Sequence, residues 1–328
     1  MRAFVTGGTG FVGANLIRLL LQQGYRVRAL ARANSCLNNL QPLEVEIIEG
    51  DLNDNLAQHM KGCQVLFHVA AQYSLFKSDR SALYRNNVLG TRNVLKCARE
   101  AGIERTVYTS SVAAIGVRKD GISADETYQS SVDKLIGDYK KSKYYAEQEA
   151  VKAVRAGQDI VIVNPSTPIG AWDIKPTPTG DIIVRFLERK MPFYVDTGLN
   201  LIDVEDVAWG HVLALEKGKT GDRYILGNQN LTFAQLLNKL AKITGLPAPK
   251  HTIPYSIPYS VAWLEENVLA KLGKKPSIAI DGVRMSRQKM FYDATKAVTQ
   301  LGLPQSDIDD ALEKAVKYFK DRGSRKLN

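Results

Sequence analysis

Thr6-Gly7-Gly8-Thr9-Gly10-Phe11-Val12-Gly13 follows the short apolar run Arg2-Ala3-Phe4-Val5 and leads into Asn15-Leu16-Ile17-Arg18-Leu19-Leu20-Leu21-Gln22-Gln23, a helical pattern closed by Gly24. A glycine-spaced turn between a strand and a helix lets the backbone approach a pyrophosphate closely, and the helix N-terminus adds free N–H groups and a partial positive charge. Gly7, Gly10, Phe11, Val12 and Gly13 are therefore the first candidate cofactor residues. Working outward, short apolar or β-branched runs alternate with longer helical patterns, the signature of βαβ units. The runs predict strands over 2–6, 26–31, 45–49, 65–69, 106–109 and 160–164, and a helix over 81–101. The expected class is α/β: a Rossmann-type, doubly wound parallel sheet with a smaller C-terminal α/β lobe. After Pro165 the pattern becomes irregular and rich in Pro and Gly. This sets a nucleotide-binding domain at 1–165 and a substrate-binding lobe at 166–328, interleaved with the first. Strand-like 223–225 and helical 233–244 and 308–319 belong to the second part.

The second strand names the cofactor. In NAD binders an acidic residue at its end accepts from the ribose hydroxyls. Here the segment reads Ala29-Leu30-Ala31-Arg32-Ala33-Asn34-Ser35, with no acid. Arg32 stands where a guanidinium clamps a 2′-phosphate, with Arg28 nearby, so NADP is expected rather than NAD. Gly50-Asp51-Leu52 after the third strand brings Asp51 and Leu52 towards the adenine. The small residues Ala70 and Ala71 end the fourth strand, where backbone can lie flat against the dinucleotide.

Tyr139 and Lys143 are four apart in Tyr139-Lys140-Lys141-Ser142-Lys143, at the start of a helical segment, and so share a face. A phenol ordinarily titrates near pH 10, roughly. A neighbouring ammonium and an oxidised nicotinamide would favour the phenolate and bring it towards working pH, making Tyr139 a general acid for carbonyl reduction and a base in reverse. Lys143 would also hold the nicotinamide ribose. Ser111 ends the fifth strand, and ligands of open α/β sheets bind beyond the carboxyl ends of strands. Its hydroxyl can donate to the substrate oxygen. Gln72, Tyr73, Phe76, Pro176, Thr177, Thr179 and Tyr194 lie on segments expected to close over the nicotinamide.

These segments, with Asn87-Val88-Leu89-Gly90-Thr91 and Asp125-Glu126-Thr127, resemble the extended short-chain dehydrogenases/reductases, in the NAD-dependent epimerase/dehydratase family, across the whole chain. The resemblance implies a Rossmann-type domain with a small substrate lobe and a homodimer formed through a four-helix bundle. It makes Ser111, Tyr139 and Lys143 the catalytic triad and passes Asn164, Pro165 and Ser166 beside the nicotinamide. Within that superfamily the chain looks like the dihydroflavonol-reductase-like branch. It is also similar to bacterial hopanoid-associated sugar epimerases, through residues 164–170, 173–180, 194–200 and 281–285.

Two reactions share this triad: net NADPH-dependent reduction of a ketone or aldehyde, and epimerisation or dehydration of a nucleotide sugar on bound NAD. Nucleotide-sugar members usually carry Arg-x-x-Asn-Val-Tyr-Gly-Pro after the sixth strand, where this chain has Val163-Asn164-Pro165-Ser166-Thr167-Pro168-Ile169-Gly170. That departure and Arg32 favour reduction of a small-molecule carbonyl, with a sugar substrate as the alternative. A cofactor-binding scaffold without turnover is the third reading, disfavoured by the intact Ser111, Tyr139 and Lys143.

Composition narrows the rest. Apolar residues make up 45% and charged residues 24%, ordinary for a globular enzyme. Cys36, Cys63 and Cys97 form no metal or disulfide pattern, and His59, His68, His211 and His251 lack ligand spacing, so no metal is expected. No signal-peptide pattern or long apolar run is present, which points to a cytoplasmic protein without a membrane span. The net charge of +10 is scattered, with small clusters at 271–275 and 317–326, and no nucleic-acid module accompanies it. Residues 255–264, followed by Lys271, Lys274 and Lys275, form a candidate amphipathic patch for peripheral lipid contact.

Overall fold

The computed structural model describes residues 1–118, 120–269 and 276–325. The basic positions Lys271, Lys274, Lys275 and Lys326 lie outside these described residues.

Thirteen strands are described: β1 (Arg2–Thr6), β2 (Arg26–Ala31), β3 (Glu46–Glu49), β4 (Val65–His68), β5 (Arg105–Thr109), β6 (Ile160–Pro165), β7 (Thr167–Ile169), β8 (Phe193–Tyr194), β9 (Gly198–Asp203), β10 (Arg223–Leu226), β11 (Gln229–Thr232), β12 (His251–Thr252) and β13 (Lys289–Met290). Seven form one parallel sheet in the order β3-β2-β1-β4-β5-β6-β10. The chain winds outward from β1 in one direction, then restarts at β4 in the other. That reversal opens a crevice between the ends of β1 and β4, where Thr6 is in register with His68. Central strands such as β6 are buried along their whole length, which accounts for their unbroken apolar runs.

Helices Phe11–Gln22 and Val204–Lys217 pack on one face of the sheet, around Leu16, Ile17, Leu20, Val207 and Val212. On the opposite side, helix Gly137–Arg155 buries Ala146 and Ala150 against Tyr108, Ile160 and Ile162. Residues 80–100 form a nearly continuous helix, but residues Tyr84–Leu89 widen into a π-helical turn. The extra residue turns Asn87 inward, where it is buried.

A smaller sheet joins β11, β9 and β13, with β7 also pairing to β9. Its core comes from Leu201, Leu231, Leu236, Leu240, Ile308, Leu312 and Phe319. Helix Phe233–Thr244 is started by a Thr232/Gln235 capping box and stopped by Gly245 in the left-handed conformation. The two sheets interleave, because β10 returns to the large sheet between β9 and β11. Helix Ser256–Leu264 continues into the turn Glu265–Leu269 and leaves Ile257, Val261, Leu264 and Val268 exposed. These positions repeat at helical spacing and make one apolar stripe. No helix among the described residues is long and apolar enough to cross a membrane.

Candidate active site

The glycine turn is built to a tolerance that side chains would violate. Gly7 sits at φ +76°, and a Cβ there would lie 2.6 Å from the Ala70 nitrogen. A Cβ at Gly13 would run into the Gly7 carbonyl oxygen. The Gly10 N–H donates to Gly7 O at 3.0 Å, and Gly10 starts the helix with no side-chain cap. The first-turn amides of Phe11, Val12 and Gly13 are thus left for an external acceptor. Glycine-scale clearance with unclaimed donors fits a dinucleotide pyrophosphate. Ala70 and Ala71 follow β4 beside this turn, and the Ala70 N–H donates to Thr6 Oγ1 at 3.2 Å.

Arg32 is exposed at the end of β2, and its guanidinium has no partner among the described residues. Arg28 is different: it pairs with Glu46 at 3.0 Å and donates to the His59 carbonyl at 2.6 Å. Its side chain is tied to β3 and residues 59–61, so of the two arginines Arg32 is the unengaged one. Asp51 Oδ1 accepts from the backbone and side chain of Asn53 at 3.1 and 2.9 Å, ordering its own loop. Leu52 contributes a carbonyl to Asn93 Nδ2 at 2.8 Å. Pro165 ends β6, and Ser166 follows with its hydroxyl buried and unpartnered.

Ser111, Tyr139 and Lys143 converge at the carboxyl end of β5. Ser111 caps the helix Val112–Ile115, accepting from Ala113 N at 3.1 Å, and its own carbonyl accepts from Asn164 Nδ2 at 3.0 Å. Burial pushes the Tyr139 phenol up to about 12, and hydrogen bonding to Ser111 pulls it partly back. Lys143 is not among the groups that shift it. Lys143 instead points its ammonium at the Thr109 carbonyl, 2.9 Å away, and burial lowers it to about 8, with Glu147 opposing. The reason is desolvation: at this half-buried position a phenolate loses more from water than it gains from a cation held elsewhere. Tyr73 lies with its ring 4.5 Å from that of Tyr139, so this aromatic does reach the site. Thr177 caps the helix Pro178–Leu187, and Tyr194 faces Phe233 at 6.1 Å; both serve the small sheet.

Several polar supports join distant parts of the chain. His68 is buried between Thr6 Oγ1 at 2.7 Å and Thr91 Oγ1 at 3.0 Å, and burial lowers it to about 3, so it is a neutral strut. Asn87 donates to Ser142 Oγ at 2.9 Å, and Ser142 donates to the Tyr139 carbonyl at 2.7 Å. Asn164 donates to Glu147 at 2.8 Å, and Glu147 pairs with Arg223 at 3.1 Å. Only tertiary contacts reveal these links, because their members are up to 76 residues apart.

The parallel Rossmann-type sheet, the family to which the chain belongs and its reductase-named relatives make it an NAD(P)-dependent oxidoreductase. The chain belongs to the NAD dependent epimerase/dehydratase family, whose model matches residues 3–227. It is 66% identical to the "Putative dihydroflavonol 4-reductase" of Synechocystis sp., over 98% of this chain and 95% of that one. It is 33% identical to "Sterol demethylase protein B" of Methylococcus capsulatus, over 98% and 99% of the two chains. A ketoreductase of Stigmatella aurantiaca that acts on a farnesylated dihydroquinoline oxide, by its name, is 32% identical over 92% and 91%. The crystal structure of gox2253 superposes with a TM-score of 0.87 at 44% identity, covering 98% of each chain.

Proposed function

We propose that this protein is an NADP-dependent reductase of a small-molecule ketone or aldehyde, with Tyr139 as proton donor. The observation that carries the reading is the half-buried Tyr139 phenol, hydrogen-bonded to Ser111, where one substrate carbonyl oxygen can meet both hydroxyls. The reductase and ketoreductase names among its relatives favour the same direction.

Gly7, Gly10, Phe11, Val12 and Gly13 hold the pyrophosphate through main-chain N–H groups, and the unpaired Arg32 takes the 2′-phosphate. Asp51 and Leu52 flank the adenine, Ala70 and Ala71 the adjoining ribose, and Pro165 and Ser166 the nicotinamide. When bound, NADPH supplies the hydride. Ser111 orients the substrate carbonyl by donating to its oxygen. Tyr139 gives its phenolic proton to that oxygen as negative charge develops there. Lys143 holds the nicotinamide ribose hydroxyls, and its charge stabilises the phenolate left on Tyr139. In this reading residues 1–165 carry the cofactor and 166–328 the substrate, in a cytoplasmic homodimer that touches lipid through the exposed stripe near Val261.

The test follows loss of NADPH and of NADH absorbance across flavonoid, steroid, aliphatic and sugar-nucleotide carbonyls, with Tyr139→Phe as control. Net oxidation of NADPH that falls about 10²–10⁴-fold in Tyr139→Phe is expected. Tightly retained NAD, no net oxidation and interconversion of a nucleotide sugar would assign the epimerase chemistry instead.

A further inference from the structure

One buried cation is not used by this chemistry. Lys140 follows Tyr139 on the same helix, so its side chain leaves the helix a quarter-turn away. It is 5% exposed, and among the described residues it has no hydrogen-bond or ion-pair partner. An ammonium is not normally buried without compensation, since the charge loses its hydration. Here desolvation lowers it to about 8.

Lys140 lines a cavity of about 330 Å³ that also takes in Arg118, Asp120, Lys134, Tyr128 and Gln288. Three of these cavity-lining groups are cationic and one is a carboxylate. That carboxylate is claimed by Arg118, 3.1 Å away, leaving the Lys140 and Lys134 ammonium groups without an anion of their own. The cavity also reaches Gly116, which ends the helix that Ser111 caps. Gly116 is at the end of that helix opposite the Ser111 cap, and Lys140 is the chain neighbour of Tyr139, so the cavity is linked to the site through these two elements, and Gln288 lines it from the second lobe.

We propose that this cavity is an oxyanion subsite, in which Lys140 receives a carboxylate or phosphate carried by the substrate whose carbonyl meets Tyr139. The identity of the ligand as substrate rests on the reductase reading; the binding of an oxyanion at Lys140 does not. A charge-assisted hydrogen bond to Lys140 is enough for a preference of about tenfold or more.

Two measurements separate the claims. First, thermal unfolding of the full chain is followed with inorganic phosphate, malonate or chloride at constant ionic strength, for wild type and Lys140→Met. Phosphate or malonate should raise the wild-type midpoint above chloride, and that increment should vanish in Lys140→Met. Lys140→Gln serves the same comparison if the methionine variant does not fold. No increment in wild type, or an equal one in the variants, overturns the subsite.

Second, kcat/KM is compared for oxoalkyl carboxylates and oxoalkyl phosphates of graded length against their neutral methyl esters. The anionic member should win by about tenfold or more at one chain length, and the advantage should collapse in Lys140→Met. The arm that shows it assigns carboxylate or phosphate. Lys140-dependent stabilisation without any turnover keeps the anion site and sinks the reductase reading. Turnover with no anion preference and no Lys140-dependent stabilisation does the reverse.

Discussion

The ammonium of Lys143 is 2.9 Å from the main-chain carbonyl of Thr109, so strand β5 fixes the cation beside, and not upon, the Tyr139 phenol. The helix supplies the lysine and the strand supplies its position. Because burial lowers this group to about 8, its charge is lost as pH rises through that value in the free enzyme. Glu147 opposes the shift, and the nearby His68 is neutral. The kcat/KM for reduction should therefore fall on an alkaline limb near pH 8, persisting in Lys140→Met. In Lys143→Met activity should drop about 100-fold or more and the limb should disappear. A profile that stays flat to pH 10 would remove Lys143 from the reaction.

Arg32 offers a separate handle, because it is exposed and unpaired while its neighbour Arg28 is engaged with Glu46. A bidentate contact to a 2′-phosphate is charge-assisted and worth about 1.5–3 kcal/mol. Arg32→Ala should lower the NADPH-to-NADH ratio of kcat/KM by about 10- to 100-fold. An unchanged ratio would leave the cofactor preference with some other group, whereas Arg28→Ala should chiefly lower stability.

The glycine turn was legible in the sequence because its causes are local: Gly7 needs a positive φ, and Gly13 needs clearance from the Gly7 carbonyl. The parallel strands were legible for a related reason, their unbroken apolar runs. Strands β7 and β11 escaped because they are short and partly polar, β9 because Asn200 and Asp203 interrupt its apolar run, and their pairing depends on β9 being shared. The partner of Arg28 is likewise non-local. Burial raises the Tyr139 phenol through lost water, which spacing from Lys143 does not report. In Tyr139-Lys140-Lys141-Ser142-Lys143 nothing local separates Lys140 from Lys141, yet Lys140 is buried and Lys141 is not.

Ile257, Val261, Leu264 and Val268 expose 51, 43, 47 and 39% of their surface along one helical stripe. On the other side of the same helix Ala262 and Tyr259 pack with Ile280 and Val283, which fixes the stripe outward. A one-sided apolar face on a protein of net charge +10 suits an anionic lipid interface. The protein should co-sediment with vesicles containing anionic lipid at low salt. Val261→Asp with Leu264→Asp should reduce the bound fraction several-fold and leave the fold intact, since both side chains are already in water. No wild-type co-sedimentation would make the stripe ordinary surface.

Lys140 makes a prediction about stability whose sign follows from burial. Its ordinary value is 10.5 and the folded value is about 8, so between these pH values the unfolded chain binds more protons than the folded one. Stability must then rise with pH across that window, and the full cost of the buried charge is present below about pH 8. The upper bound on that cost is on the order of 3 kcal/mol, reduced by whatever water the cavity admits. Its cause is desolvation, and the one carboxylate lining the cavity, Asp120, is engaged by Arg118. Lys140→Met should therefore be more stable than wild type in urea at pH 7, by about 1–3 kcal/mol, and the gap should narrow towards pH 10. A saturating oxyanion should narrow it at pH 7 as well, because it compensates in wild type the charge that the variant lacks. If Lys140→Met is less stable at both pH values and phosphate does not alter the difference, the ammonium is a structural element of the helix and not a vacant receptor.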